Sequence, residues 1–201
     1  KCCDEIFKGK FKSSKKLVLE EFLIGEEASY FLVVDKKNFT FIGSAQDHKK
    51  VKEKERGPNT GGMGAYSPAP IINKSIEKKI INRIIIPTLE DLKKRGKPFT
   101  GFLYAGLMIR KGEPYLIEYN IRMGDPECQV IMPRLKTKLI DIIEKALENK
   151  LNKIKIKWNK KKSMTIVLCS KGYPKSYKKN VIIPNFSKLK LDKDSLIYHA
   201  G

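Results

Sequence analysis

Apolar residues along this chain fall into short runs of two kinds, some alternating with polar positions and some recurring at helical spacing. Leu17-Val18-Leu19 running through Phe22 and Leu23 to Gly25 predicts a strand and a turn. Ala28 to Val34 predicts a second strand and Phe39 to Gly43 a third, with polar Asp35-Lys36-Lys37-Asn38 as their hairpin connection. From Ser44 to Pro70 periodicity is almost absent and Gly and Pro are frequent, which predicts a long loop. Ile76, Ile80, Ile84 and Leu89 share a helical face, so a helix is expected from a cap at Asn73 or Ser75 to about Lys94, kinked or divided at Pro87. Thr100 to Arg110 and Tyr115 to Asn120 predict a hairpin around Lys111-Gly112-Glu113-Pro114. A second helix is expected over residues 137–151, with Leu139, Ile140, Ile143, Ala146 and Leu147 on one side. Lys150 to Lys162, carrying Trp158, reads as a crossover or linker, Met164 to Cys169 as a strand and Ser170 to Pro174 as a turn. The pattern is α+β, with antiparallel hairpins and helices grouped between them.

Length and composition narrow the class. The 201 residues, 41% of them hydrophobic, suffice for one large or two small domains with a real core. Ile84-Ile85-Ile86 and similar runs are too short to cross a bilayer, and no secretory signal is visible, so a cytoplasmic setting is expected. The four cysteines show no C-x-x-C spacing and read as reduced thiols. A start at Lys1 and an end at Gly201, just past an apolar run, suggest a polypeptide that continues beyond both.

Net charge is +20, from 42 basic and 22 acidic side chains. Nearly all the basic residues are Lys spread over the whole length, while Arg occurs only at 56, 83, 95, 110, 122 and 134. Base readout favours Arg, so this distribution describes solvated faces better than a nucleic-acid stripe.

Three segments carry candidate chemistry. In the first, Glu20-Glu21-Phe22-Leu23-Ile24-Gly25-Glu26-Glu27, an edge strand offers free main-chain groups to an adenine and Glu27 to ribose hydroxyls; a plain edge strand with solvated acids remains the alternative. In the second, Asp47 suits an ammonium group and Lys49 a phosphate. The loop that follows has glycines at 57, 61, 62 and 64, whose successive N–H groups can cup an anion. It is not a G-x-G-x-x-G fingerprint, and a surface linker is the competing reading. In the third, Glu118 and Asn120 are two apart at a strand end, so both face one side, as an oxygen pair for Mg²⁺. Arg122 follows, able to pair with a carboxylate or phosphate, and a structural salt-bridge cluster is the alternative. Taken together, the segments point to metal-assisted phosphoryl transfer onto an acid.

The motifs EEFLIGEEAS (20–29), SAQDHKK (44–50), GPNTGGMGAYSPAP (57–70), TGFLYAGLMI (100–109) and EYNIRMGDPE (118–127) resemble the phosphoribosylamine–glycine ligase (glycinamide ribonucleotide synthetase) family of ATP-grasp enzymes. SKGYP at 170–174 and YHAG at 198–201 look like the start of that family's C-terminal domain. The resemblance implies the second half of an ATP-grasp domain, an antiparallel sheet with helices, over 1–160, and a truncated small C-terminal domain over 161–201. It implies that ATP phosphorylates glycine to glycyl phosphate, from which 5-phosphoribosylamine displaces phosphate to form an amide. Carried over, Glu20, Glu21 and Leu23 hold adenine and Glu27 the ribose, while Glu118 and Asn120 hold Mg²⁺ or Mn²⁺. Arg122 neutralises the acyl phosphate or binds the glycine carboxylate. Asp47, Lys49, Gly61, Gly62 and Gly64 line the glycine and phosphoribosylamine site, with Gly124 and Asp125 beside them. A monomer acting on small molecules is expected; another ATP-grasp carboxylate–amine ligase, or a basic nucleic-acid-binding remnant, is the alternative. Departures are Gly106, where many relatives place an acidic metal ligand, and Met123, where Leu or Phe is commoner. The first ATP-grasp subdomain, with its phosphate-holding Lys and glycine-rich loop, is absent from the sequence, so little activity is expected of this chain alone.

Overall fold

The computed structural model describes residues 2–10, 16–54, 56–183 and 185–200. After a four-residue helix, α1 (Cys2–Glu5), the first long element is strand β1 (Glu26–Asp35). From Ala28 onward every residue of β1 is buried, because helices cover both sheet faces, and hence its near-continuous apolar run. It pairs antiparallel with β2 (Asn38–Asp47), bringing Ser29 opposite Ala45. Asp35 closes the turn by accepting from Lys37 N at 2.9 Å and Asn38 N at 2.6 Å.

The stretch read as one long loop holds three short strands beyond the end of β2: β3 (Lys50–Lys52), β4 (Arg56–Asn59) and β5 (Gly64–Ser67). At three or four residues each they are too short for alternation to betray them. Then α2 (Lys74–Ile80), capped by the Asn73 side chain on the N–H groups of Ser75 and Ile76, runs through a π-helical turn (Ile81–Ile85) into α3 (Ile86–Lys94). Pro87 sits in the first turn of α3, where its missing N–H interrupts least, so the expected division takes the form of this wide turn. Strands β6 (Gly101–Arg110) and β7 (Glu113–Asn120) form the expected hairpin. Helices α4 (Glu127–Ile131) and α5 (Leu139–Leu147) follow, and β8 (Ser163–Ile166) pairs with β5.

The main sheet has the order β7-β6-β1-β2-β5-β8, and β3 with β4 forms a separate ribbon. Ile76, Ile80, Ile84 and Ile85 of the first helical stretch pack on one face against Tyr30, Leu32, Leu103 and Leu107. On the other face Val130, Ile131, Ile142 and Ala146 pack against Phe31, Val33 and Ile42. Residues to Val167 form one compact unit, and Leu168–Gly201 form another, whose Gly201 lies outside the described residues. Within the second unit, Tyr173 N donates to Ser170 O at 3.2 Å in the expected turn, and Tyr173 meets Tyr177 edge-on. No helix among the described residues is long and apolar enough to cross a membrane.

Three expectations are corrected. Residues 17–23 form no strand: Val18 and Phe22 are 83% and 86% exposed, and a strand needs a partner ladder that this stretch lacks among the described residues. Helix α5 is shorter than expected and buries Ile142 and Ala146, leaving Ile140 and Leu147 of the predicted stripe exposed. Residues 150–162 are no linker, since Leu151 is buried, Ile154, Ile156 and Trp158 pack on the core, and Trp158 bridges to Leu135 beneath the Arg134 guanidinium.

Candidate functional site

Antiparallel pairing lines up Ser29 of β1, Gly106 of β6 and Glu118 of β7 across the sheet. Ser29 and Tyr104 lie on the face covered by α4, as their contacts with Glu127 of that helix show. Beyond the apolar cover, the strand ends leave an open cleft with about 290 Å³ of empty space. Glu27, Ser29, Asp47, Lys49, Tyr104 and Glu118 line it, with Gly106 and Ile117 as part of its floor. Four residues singled out from the sequence, Glu27, Asp47, Lys49 and Glu118, thus meet at one place, from three strands and the segment after β2.

The charges interlock. Lys49 Nζ lies 2.9 Å from Glu27 Oε2. Burial opposes the Lys49 charge, but Glu27, then Asp47 and Glu118, hold its ammonium above the usual range. Asp47 behaves oppositely: burial first, and then the nearby Glu127 carboxylate, push it up to about 7. Asp47 Oδ1 is buried with no hydrogen-bond partner among the described residues. Against it lies Gly62, where an added Cβ would overlap Pro126 Cδ and come within 2.9 Å of Asp47 Oδ1.

The loop closed by Gly64 is tied down rather than open. Thr60 N donates to Lys49 O at 2.7 Å, Met63 N to His48 O at 2.8 Å and Gly62 N to Thr60 Oγ1 at 3.0 Å. These amides are engaged by protein oxygens, so the expected anion cup has little to offer here, and the loop serves as a wall. Gly64 lies in β5 against Thr165 O of β8, where a Cβ would come within 2.6 Å, and Gly57 belongs to the β3–β4 ribbon. Gly61 is exposed beside this wall.

Other candidates stand apart from the cleft lining. Glu20, Glu21 and Leu23 lie outside any strand, so the expected edge for adenine does not form; the Glu21 carboxylate meets Arg110 at 3.4 Å. Arg122 is exposed and donates to Met123 O at 3.0 Å, and Asp125 accepts from Gln129 Nε2 at 2.7 Å. Asn120 follows Glu118 on β7 and donates from Nδ2 to Glu118 Oε1 at 3.1 Å. With that amide turned over, the two side chains present an oxygen pair. Among the described residues no group of three or more His, Cys, Asp or Glu is placed for a metal ion. An oxygen pair of that kind suits a hard divalent cation that fills its other positions with phosphate and water oxygens.

Sequence reasoning passed over Ser29, Tyr104 and Glu127. Glu127 is 2% exposed and accepts from Ser29 Oγ at 2.9 Å, while Tyr104 OH stands 3.1 Å from Ser29 Oγ. Burial and then Glu127 push the Tyr104 hydroxyl well above the usual range. Gly124 is closed in by Glu127, whose carboxylate an added Cβ would strike. The signal for Glu127 was an acid at the start of a short apolar helix, visible only once that helix is placed.

Known proteins share this architecture. The family described as phosphoribosylglycinamide synthetase, ATP-grasp (A) domain, matches residues 1–128. A phosphoribosylamine–glycine ligase of Vigna unguiculata is 48% identical over 189 residues, covering 92% of this chain and 61% of its own length. One from Vibrio parahaemolyticus is 45% identical over 190 residues, covering 94% of this chain and 44% of its own. The crystal structure of a phosphoribosylamine–glycine ligase from Thermotoga maritima superposes with a TM-score of 0.71 at 35% identity, over 79% of this chain and 40% of that one. The chain thus spans roughly half the length of the relatives it matches.

Proposed function

The chain belongs to the phosphoribosylglycinamide synthetase ATP-grasp domain family, and on that premise we propose that it forms one wall of a phosphoribosylamine–glycine ligase site. In that reaction ATP phosphorylates the glycine carboxylate and 5-phosphoribosylamine displaces the phosphate, giving glycinamide ribonucleotide, ADP and phosphate. The observation that carries the reading is the convergence of Glu27, Asp47, Lys49 and Glu118 on one cleft. Phosphoryl transfer asks a protein for positioning and charge neutralisation rather than a covalent group, and this cleft is equipped for both.

Lys49, held charged, takes the phosphate side and Glu27 the ribose hydroxyls. Their ion pair must open for either, which is cheap because a half-exposed pair contributes about 1 kcal/mol or less. Asp47 receives the ammonium group of glycine, and the Gly61–Gly62 turn with Gly64, Gly124 and Asp125 walls that side. Arg122, free to swing from its exposed position, neutralises the acyl phosphate or the glycine carboxylate. The main chain of Glu20, Glu21 and Leu23 is left for adenine. Glu118 and Asn120 would hold Mg²⁺ or Mn²⁺, which supplies charge neutralisation between nucleotide phosphates. The same reading makes the enzyme a cytoplasmic monomer. The cleft is open, as befits a single wall, so little turnover is expected of this chain by itself.

Two measurements on the chain test this together. With ATP, Mg²⁺, glycine and phosphoribosylamine, glycine-dependent ADP release is expected at or near background; robust turnover would refute the single-wall reading. Calorimetry should show weak Mg²⁺-dependent ATP binding that falls about tenfold in Glu118→Gln, and binding indifferent to that change would refute the site.

A further inference from the structure

Glu127 has no part in the scheme above, yet it is the most deeply buried acid of the site, at 2% exposure. No cation pairs with it among the described residues; the Ser29 and Tyr104 hydroxyls face it instead. A buried carboxylate without a countercharge is costly, so its position calls for a physical reason. It sits where β1, β6 and the turn before α4 meet, packed on Gly124 so closely that no side chain fits there. Its nearest consequence is electrostatic, because the buried Asp47 Oδ1, without a partner among the described residues, faces the Gly62 turn that also packs on Asp125 O and Pro126, the two residues leading into Glu127.

We propose that Glu127 is a positioning residue which, fixed by Ser29 and Tyr104 behind the cleft, keeps Asp47 a proton acceptor for an amine. Two neighbouring buried acids cannot both hold their charge cheaply, so the one whose buried oxygen has no donor, Asp47, prefers a proton or a cationic ligand. Other titratable groups facing Asp47 are Lys49 and His48 beyond β2, Glu27 on β1 and the Tyr104 hydroxyl on β6. Lys49 is engaged with Glu27 and so answers Asp47 only in part. The elevated proton affinity of Asp47 agrees with this arrangement.

The chemical consequence rests on the ligase reading. As the amine nitrogen bonds to the acyl carbon, the carbon–oxygen bond to phosphate breaks and phosphate leaves with the electron pair. The nitrogen must then shed a proton, and the Asp47 carboxylate takes it, releasing the glycyl ammonium it held. An acceptor near neutrality suits that transfer better than an ordinary aspartate.

The test needs no nucleotide and no turnover. Carbon-13 NMR follows the Asp47 carboxyl against pH in the chain, in Glu127→Gln and in Glu127→Asp, with thermal melts of each. The wild-type midpoint is expected near 7. In folded Glu127→Gln, which keeps the Ser29 contact and loses the charge, the midpoint should fall by about one pH unit or more. Glu127→Asp, which keeps the charge, should restore most of that shift, whereas a purely structural role would make the two variants alike. An Asp47 midpoint in the ordinary range, or one unmoved in Glu127→Gln, overturns the proposal. Should that variant fail to fold, the wild type and Glu127→Asp decide: both must hold the Asp47 midpoint near 7, and an ordinary midpoint in either overturns it. Because ligation is not measured, this result and that of the ADP assay can fail independently.

Discussion

Gly62 offers the sharpest test of how the cleft is held. Its φ is +121°, outside the left-handed well that other residues sometimes visit, and the space beside its Cα is occupied. In Gly62→Ala the new methyl overlaps Pro126 Cδ and lies 2.9 Å from Asp47 Oδ1 and 3.3 Å from Asp125 O. None of these gives way easily: the first belongs to a proline ring, the second to a buried carboxylate, the third to main chain. Overpacking of this kind costs about 1–3 kcal/mol. The positive φ adds about 1–2 kcal/mol. Gly112→Ala supplies the control, because its φ is +75° and nothing lies within 4 Å of an added Cβ, so it carries the backbone cost alone. Urea unfolding of both variants, extrapolated linearly to water, should place Gly62→Ala about 1–3 kcal/mol below Gly112→Ala. Equal losses would refute the contact argument and with it the close packing of the Gly62 turn on Asp47.

Two further outcomes concern pH. Burial works against the Asp35 charge, but the N–H groups of Leu151, Lys37 and Asn38 outweigh it and hold the carboxyl below its usual range. Because the folded value is depressed, this stabilisation is present above the unfolded value of about 3.9 and is lost as pH falls through the folded one. Asp35→Ala, which orphans the Leu151 amide, should therefore cost about 2–4 kcal/mol in urea melts at pH 7 and progressively less below about pH 4. For Asp47 the sign reverses: its folded value, about 7, exceeds the unfolded one, so stability is fullest below about pH 4 and declines as pH rises to about 7. Discounted for partial solvent access, Asp47→Asn should gain about 1–2 kcal/mol over wild type at pH 8, with the gain shrinking toward pH 4. A variant no more stable at pH 8 than at pH 4, relative to wild type, would contradict this.

What the sequence revealed and what it hid divide along physical lines. Strands β1, β2, β6 and β7 were legible because Tyr30, Phe31, Leu32 and Leu103 to Ile109 concentrate apolar residues between polar turns, and the Asn73 cap announced α2. The motifs at 44–50 and 118–127 located Asp47, Lys49 and Glu118 before any coordinates placed them together. The stripe of α5 misled because Ile140 and Leu147 are as apolar as Ile142, and which side is covered depends on what packs there. Residues 17–23 misled in the same way, since Val18, Leu19 and Phe22 favour extended chain but a ladder needs a second strand. The role of Glu127 could not be read locally, because its partners Ser29 and Tyr104 are distant in sequence and meet only across the sheet.

The outer strand β7 has a consequence for handling the molecule. Among the described residues no strand pairs with its outer edge, and Tyr115, Leu116 and Ile117 are all substantially solvent-accessible. An unsatisfied rim of amides and carbonyls bearing three consecutive apolar side chains is a template on which a second molecule can continue the ladder. The net charge of +20 keeps molecules apart at low ionic strength. Salt screens that repulsion, so concentrated, high-salt solutions are where self-association of this chain sets in.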